Sequence, residues 1–384
     1  MKRFHILLLL LMSLLGVFPL DVILPSFHAL ASEYGVEVRQ VSYSVSMFVI
    51  AVALAQTVIG PLSDWMGRKR LLLAGLAVAV IGSAGCIVAP NYTVFMGFRI
   101  IQALGCGCFV LSQALVEDTY CGRERISMRI LLSSASGLFI SFSPLAGSLL
   151  QQYLGWRASF WVFIVIAIFV GMLAMLLLEE RPAGSVGSRC FHSYGVLGRD
   201  LPFLGYSLIN ALGFACHFSF IVVSPILLME RLGLSSWAFS WVFVGYGFSF
   251  IIGGWVARQI NHRVASQLQI KIGLVLIGGA GLLGGGWLVL GGLSVVGVVI
   301  PMIVCTTATT VLRPAATTHA LSRYPEIVGA AASLATTIIL AIGGAVSSLV
   351  SMFQAMLPLN IMMVLVMTSV FGLLLLDRMT LSAR

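Results

Sequence analysis

Residues Gly60 to Arg70 read G-P-L-S-D-W-M-G-R-K-R and stand between two long apolar runs, near residues 40–62 and 71–90. An apolar run, a short connection holding one carboxylate and three cations, and a second apolar run describe two membrane crossings joined by a tight turn. Gly60 and Gly67 let the chain turn where side chains would not fit. Arg68, Lys69 and Arg70 hold that turn on the cytoplasmic side, where basic loops stay. Asp64 stands at the membrane boundary, where a carboxylate needs a cation or the positive end of a helix.

The rest of the chain agrees with a membrane protein. Of its 384 residues 59% are hydrophobic and 9% are charged, and the mean hydropathy is +1.06. Soluble domains carry about a quarter charged residues. The net charge of +9 is spread over loop after loop and not clustered, so insertion topology explains it and nucleic-acid binding is not expected. The seven cysteines lack metal-site spacing, and no disulfide framework is implied. Cys106 and Cys108 alternate with Gly105 and Gly107, as small residues do at a helix contact. No H-E-x-x-H, nucleophile–base pair or nucleotide-binding loop is present, so neither an enzyme, nor a metal or cofactor, nor ATP drive is expected.

At ~20 apolar residues per crossing, spans fall near residues 4–25, 40–62, 71–90, 93–117, 127–150 and 157–178, then 202–228, 237–258, 268–291, 295–319, 328–352 and 356–376. The expected fold is an all-α integral membrane protein with twelve transmembrane helices. Two six-helix halves, 1–178 and 202–384, flank a cytoplasmic linker at 179–201, the longest polar stretch. The inner side would hold most cations, among them Arg68, Arg123, Arg189 and Arg378, and the outer loops only Arg39, Arg157 and Arg231. That asymmetry puts both termini in the cytoplasm.

An ionisable group within a span costs at least ~2.5–3.5 kcal/mol and is functional by default. Asp21, Arg99, His217 and Arg313 qualify. Asp21 lies ~25 Å up span 1, and Arg99 ~9 Å below the outer end of span 4, at 1.5 Å per residue. Both therefore fall at one height in the outer half. They either pair or respond to each other through a water-filled cavity; such a carboxylate can exchange its ion pair for a proton, and the plainer reading is a static salt bridge locking spans 1 and 4. Arg313 is expected to snorkel towards the inner face.

Several motifs then resemble a known family. Gly60, Leu62, Asp64, Gly67, Arg68 and Lys69 match the loop 2–3 signature of the major facilitator superfamily, with Trp65 departing from it. L-D-V-I-L-P-S-F around Asp21 and R-I-I-Q-A-L-G from Arg99 resemble the proton-driven drug-exporter branch, and within it the bicyclomycin/chloramphenicol resistance subfamily. Asp21, Leu24, Pro25, Arg99, Gln102 and Gly105 match, and Ala103 replaces a usual Gly. Gly137, Pro144 and Gly147 in span 5 look like the exporters' antiporter motif, which bends that helix beside the other half. L-G-W-R-A-S-F-W (Leu154 to Trp161) strengthens the match.

The resemblance implies a latch at the inner gate formed by Asp64, Arg68 and Asp118. It also implies a cavity walled by spans 1, 4, 7 and 10, with Gln102, Gln113, Asn210, Thr306 and Thr310 as polar residues and Phe214, Phe218 and Phe220 as apolar ones. A pseudo-two-fold axis would set His217 near the symmetric position of Asp21, either to carry protons or meet anionic substrate, or as a hydrogen-bonded helix contact. The implied function is secondary transport in the inner membrane of a bacterium. A monomer in the lipid bilayer would exchange protons for a drug-like, lipophilic, cationic or neutral small molecule. The alternative is proton symport, or dedicated export of one metabolite such as a siderophore, sugar or amino acid.

Overall fold

A computed structural model describes residues 2–120, 122–179, 194–261, 264–321, 323–324 and 327–382. Among the described residues twelve principal helices follow one another: α1 (Lys2–Asp21), α2 (Val38–Met66), α3 (Arg68–Val88), α4 (Tyr92–Cys106), α5 (Gly122–Leu154) and α6 (Arg157–Leu177), then α7 (Leu201–Ser224), α8 (Ser236–Asn261), α9 (Ser266–Gly291), α10 (Val295–Leu321), α11 (Val328–Met352) and α12 (Leu357–Ser382). Eleven stretches among the described residues are long and apolar enough to cross a membrane. The helix outside that set is α5, whose 33 residues include a serine-rich stretch, Ser133-Ser134-Ala135-Ser136. The chain divides into two compact units, Met1–His192 and Ser193–Arg384. Most of the linker expected at 179–201 lies outside the described residues.

In the first unit α1 packs against α5 and α6, while α3 packs against α4 and α6. Its core brings Leu8, Met12, Leu15 and Phe18 of α1 together with Leu72, Leu76 and Ala79 of α3. In the second unit α7 packs against α10, α11 and α12, and α9 against α10 and α12. Local chemistry sets several helix starts. The Asn91 side chain accepts from the Val94 N–H (3.0 Å), the Asp200 carboxylate accepts from the Phe203 N–H (3.3 Å), and Glu37 and Gln40 form a reciprocal capping box.

Three features differ from expectation. The Gly60–Arg70 connection is not an eleven-residue turn: α2 runs on to Met66, α3 starts at Arg68, and Gly67 alone (φ +87°) joins them. That φ is open to glycine without strain, so one residue suffices to separate the helices. Span 4 is not one helix. It tightens to a 3-10 stretch at Gly107–Val110 before Leu111–Thr119, where small residues let the backbone approach α2 and α3.

Span 1 is broken too. α1 stops at Asp21, a short 3-10 turn covers Leu24–Ser26, and a helix Phe27–Tyr34 follows. Pro25 explains the break, because it lacks an N–H and disfavours helix in the residue before it. Gly147 of α5 rests against this break: a Cβ built there would lie 2.0 Å from the Val22 carbonyl oxygen. Gly147→Ala is therefore expected to overpack the contact, lowering stability by about 1–3 kcal/mol. A drop in the melting temperature of purified protein checks this, and an unchanged value would show that the helices separate freely.

Candidate functional site

The break after Asp21 creates a problem that Arg99 solves. The last carbonyls of any helix lack intrahelical partners, and hydrocarbon offers no water to satisfy them. The Arg99 guanidinium, 1% exposed, donates from Nη2 to the Pro19 carbonyl oxygen (3.0 Å) and from Nη1 to Gln102 Oε1 (2.6 Å). Gln102 Nε2 donates to Ser83 Oγ (2.7 Å), and Ser83 donates to the Ala79 carbonyl (2.8 Å). The guanidinium carbon stands 4.4 Å from the Phe48 ring centroid and 5.8 Å from that of Phe160. Arg99 thus ties α1 to α3 and α4 while its charge faces the negative end of α1.

Of the readings open for Asp21 and Arg99, the static bridge is not met: they form no ion pair within 4.0 Å among the described residues. The cation reaches the backbone two residues before Asp21, because the free helix end presents a fixed acceptor there. Asp21 itself is buried, at 3% exposure, in the last helical position before the break. Gln102 is not a cavity-wall residue: it is 1% exposed, its oxygen accepts from Arg99, and its nitrogen donates to Ser83.

The side chains of Asp64, Gln113 and Asp118 lie outside the described residues. Of the expected latch, Gly60 accepts through its carbonyl from Ser63 Oγ (2.7 Å), and Arg68 Nη1 donates to the same hydroxyl (3.3 Å). Lys69 Nζ donates to the Met175 carbonyl (2.8 Å) in the last turn of α6, where a cation suits the helix end. In the antiporter helix, Gly147 makes its close contact with Val22 in the break after α1 of its own unit, Pro144 lies inside α5, and a Cβ at Gly137 would meet nothing within 4 Å.

The second unit places His217 at a helix contact. Its Nδ1 is 2.8 Å from Tyr246 Oη, and Tyr246 hydrogen-bonds in turn to Thr306 Oγ1, linking α7, α8 and α10. The ring lies parallel to Tyr246 (6.1 Å, 13°) and edge-on to Phe214 (5.8 Å) and Phe250 (5.3 Å). Thr306, Phe218 and Phe220 are buried, and Thr310 donates to the Thr306 carbonyl (2.8 Å) against Gly253. Thr306, Phe218 and Phe220 pack helices together, while Thr310 is half-buried. Asn210 donates to Thr317 Oγ1 (2.8 Å) and accepts from Arg313 Nε (3.0 Å). Arg313 is held to α7, with its guanidinium carbon 5.5 Å from the Phe214 ring centroid.

Residue-type signals pass over Glu33, Ser83 and Tyr246. Glu33 accepts from Trp156 Nε1 and pairs with Arg157, whose Nε donates to the Ile87 carbonyl (3.0 Å). Phe95, Trp156 and Phe160 pack edge to face beside this contact, and the Tyr34 ring is tilted against Trp156. The L-G-W-R motif marks Trp156 and Arg157, but nothing local marks Glu33, more than a hundred residues away in sequence.

The sequence model of the Major Facilitator Superfamily matches residues 6–348. The chain belongs to that superfamily and is a multi-pass membrane transporter of small molecules. A Pseudomonas aeruginosa protein described as "Chloramphenicol resistance protein" is 27% identical over 92% of this chain and 84% of its own length. The "Multidrug resistance protein MdtL" of Shigella dysenteriae is 30% identical over 56% of this chain and 55% of its own. Among solved structures, a D-xylose-proton symporter superposes with TM-score 0.77 at 16% identity, covering 97% of both chains; this likeness shows the fold alone.

Removing the Tyr246 hydroxyl strands polar groups of His217 and Thr306 in the apolar interior. Tyr246→Phe is expected to lower stability by about 1–3 kcal/mol, measured as a melting-temperature shift. A neutral result would show that these groups find other partners.

Proposed function

We propose that this transporter exports a lipophilic small molecule in exchange for protons, with Asp21 as the group that exchanges them. The observation that carries this is the buried Asp21 carboxylate, which has no ion partner among the described residues and stands at a helix break braced by Arg99 and Gly147. In an apolar setting without a fixed counter-ion a carboxyl group favours its neutral form, so it takes up a proton readily and releases it once the opposite state brings water or a cation to it. Arg99 contributes by staying on the Pro19 carbonyl, so the break keeps its shape while Asp21 changes charge. The direction of transport follows the relatives named for chloramphenicol and multidrug resistance.

In the same reading, two six-helix halves joined by the linker alternate in a bacterial inner membrane, with both termini in the cytoplasm and one chain as the working unit. The connection at Gly67 is a conformational latch closed by Asp64, Arg68 and Asp118. Lys69 anchors it to the end of α6.

Acidified inverted vesicles carrying a pH-sensitive dye test the proposal, with chloramphenicol and a panel of other lipophilic compounds. Wild-type vesicles should release protons on adding a transported compound, and Asp21→Asn should reduce the rate at least ~10-fold, a barrier increase of about 1.4 kcal/mol. Equal release by the variant would remove Asp21 from coupling. Release by no compound in wild type would overturn lipophile–proton exchange.

A further inference from the structure

We infer that Arg313 is the receptor for an anionic group, a carboxylate or phosphate, on a lipophilic aromatic ligand. The inference rests on the export reading only for the ligand's lipophilic body; the anionic group is read from the site itself.

Arg313 lies in α10, eight residues before its end at Leu321, or ~12 Å along the axis. A cation at that depth needs compensation, yet no carboxylate lies within 4.0 Å of it among the described residues. Its one hydrogen bond there is from Nε to Asn210 Oδ1 (3.0 Å). Both terminal nitrogens are left to donate, and the side chain is only half-buried. Compare Arg99, whose Nη1 and Nη2 are both engaged and which is 1% exposed.

The site is built, not incidental. Asn210 is buried and engaged on both sides, accepting from Arg313 and donating to Thr317 Oγ1, so it anchors the guanidinium at Nε. A guanidinium held at Nε presents its Nη pair as a fork, the geometry that takes a carboxylate or phosphate by two parallel hydrogen bonds. Beside the fork, the Phe214 ring stands 5.5 Å from the guanidinium carbon, and Phe218 stacks on Phe214 at 5.3 Å and 11°. Gly343 of α11 keeps room for the Phe214 ring, since a Cβ there would lie 2.6 Å from it. A cation beside a stacked aromatic pair reads an aromatic body carrying a negative charge. The anion has two sources, a lipid headgroup or a free ligand.

The test measures binding by calorimetry to full-length protein in nanodiscs of phosphatidylcholine. The probes are 1-naphthoate and its neutral counterpart 1-naphthalenemethanol. Wild type should bind naphthoate at least ~10-fold more tightly, a difference of about 1.4 kcal/mol. Arg313→Gln should lose that preference while still binding the alcohol, which also shows that the variant is folded; Arg313→Lys should keep part of it. Native mass spectrometry with phosphatidylglycerol distinguishes the lipid source. Retention of that lipid by wild type and not by Arg313→Gln supports the anion site and assigns it to a headgroup. Equal affinity for both probes together with equal lipid retention by wild type and Arg313→Gln overturns the inference. None of these readouts uses a proton gradient, so failure here is separate from failure of antiport.

Discussion

A helix that ends inside a membrane leaves carbonyl groups that no water can reach, and the first unit is organised around one such end. α1 stops at Asp21, and Arg99 donates to the Pro19 carbonyl there. Burying an arginine costs at least ~2.5–3.5 kcal/mol, while hydrogen bonds to a charged group contribute about 1.5–3 kcal/mol each. Two such bonds, to Pro19 and Gln102, together with the face of Phe48, are of the size needed to offset that cost. The contact lets the chain turn at Pro25, holds Asp21 at the edge of the turn, and leaves the Val22 carbonyl where α5 can approach only through Gly147.

The second unit meets the same constraint mostly with neutral groups. His217, Tyr246 and Thr306 satisfy one another across three helices, and Gln269 donates to the Val311 carbonyl. Such contacts spread polar satisfaction over short hydroxyl and amide links, and they join α7, α8, α9 and α10 without a buried acid. Arg313 is the contrast: a cation positioned by Asn210 and left with donors to spare. The two units thus use their intramembrane arginines differently, Arg99 as a structural brace and Arg313 as an open donor.

Much of the site was visible in the sequence because a charge in an apolar run is conspicuous whatever surrounds it. Asp21, Arg99, His217 and Arg313 stand out for that reason, and rise per residue fixes their heights. Height does not fix azimuth. A static bridge between Asp21 and Arg99 is absent because the guanidinium turns to a backbone oxygen, and a backbone acceptor carries no residue-type signal. Gln102 looked like a cavity residue for the same reason: polarity in a span marks a group needing a partner, and here that partner is protein.

Sequence by itself determined the class of protein and the positions of the spans to within a few residues, since hydropathy is a local property. Only the tertiary structure decided which polar group each buried side chain meets. Glu33 with Arg157, Ser83 with Gln102, Tyr246 with His217 and Asn210 with Arg313 are all set by how helices rotate against one another. That rotation minimises unsatisfied polar groups over a whole six-helix unit at once, and no single stretch of sequence contains it.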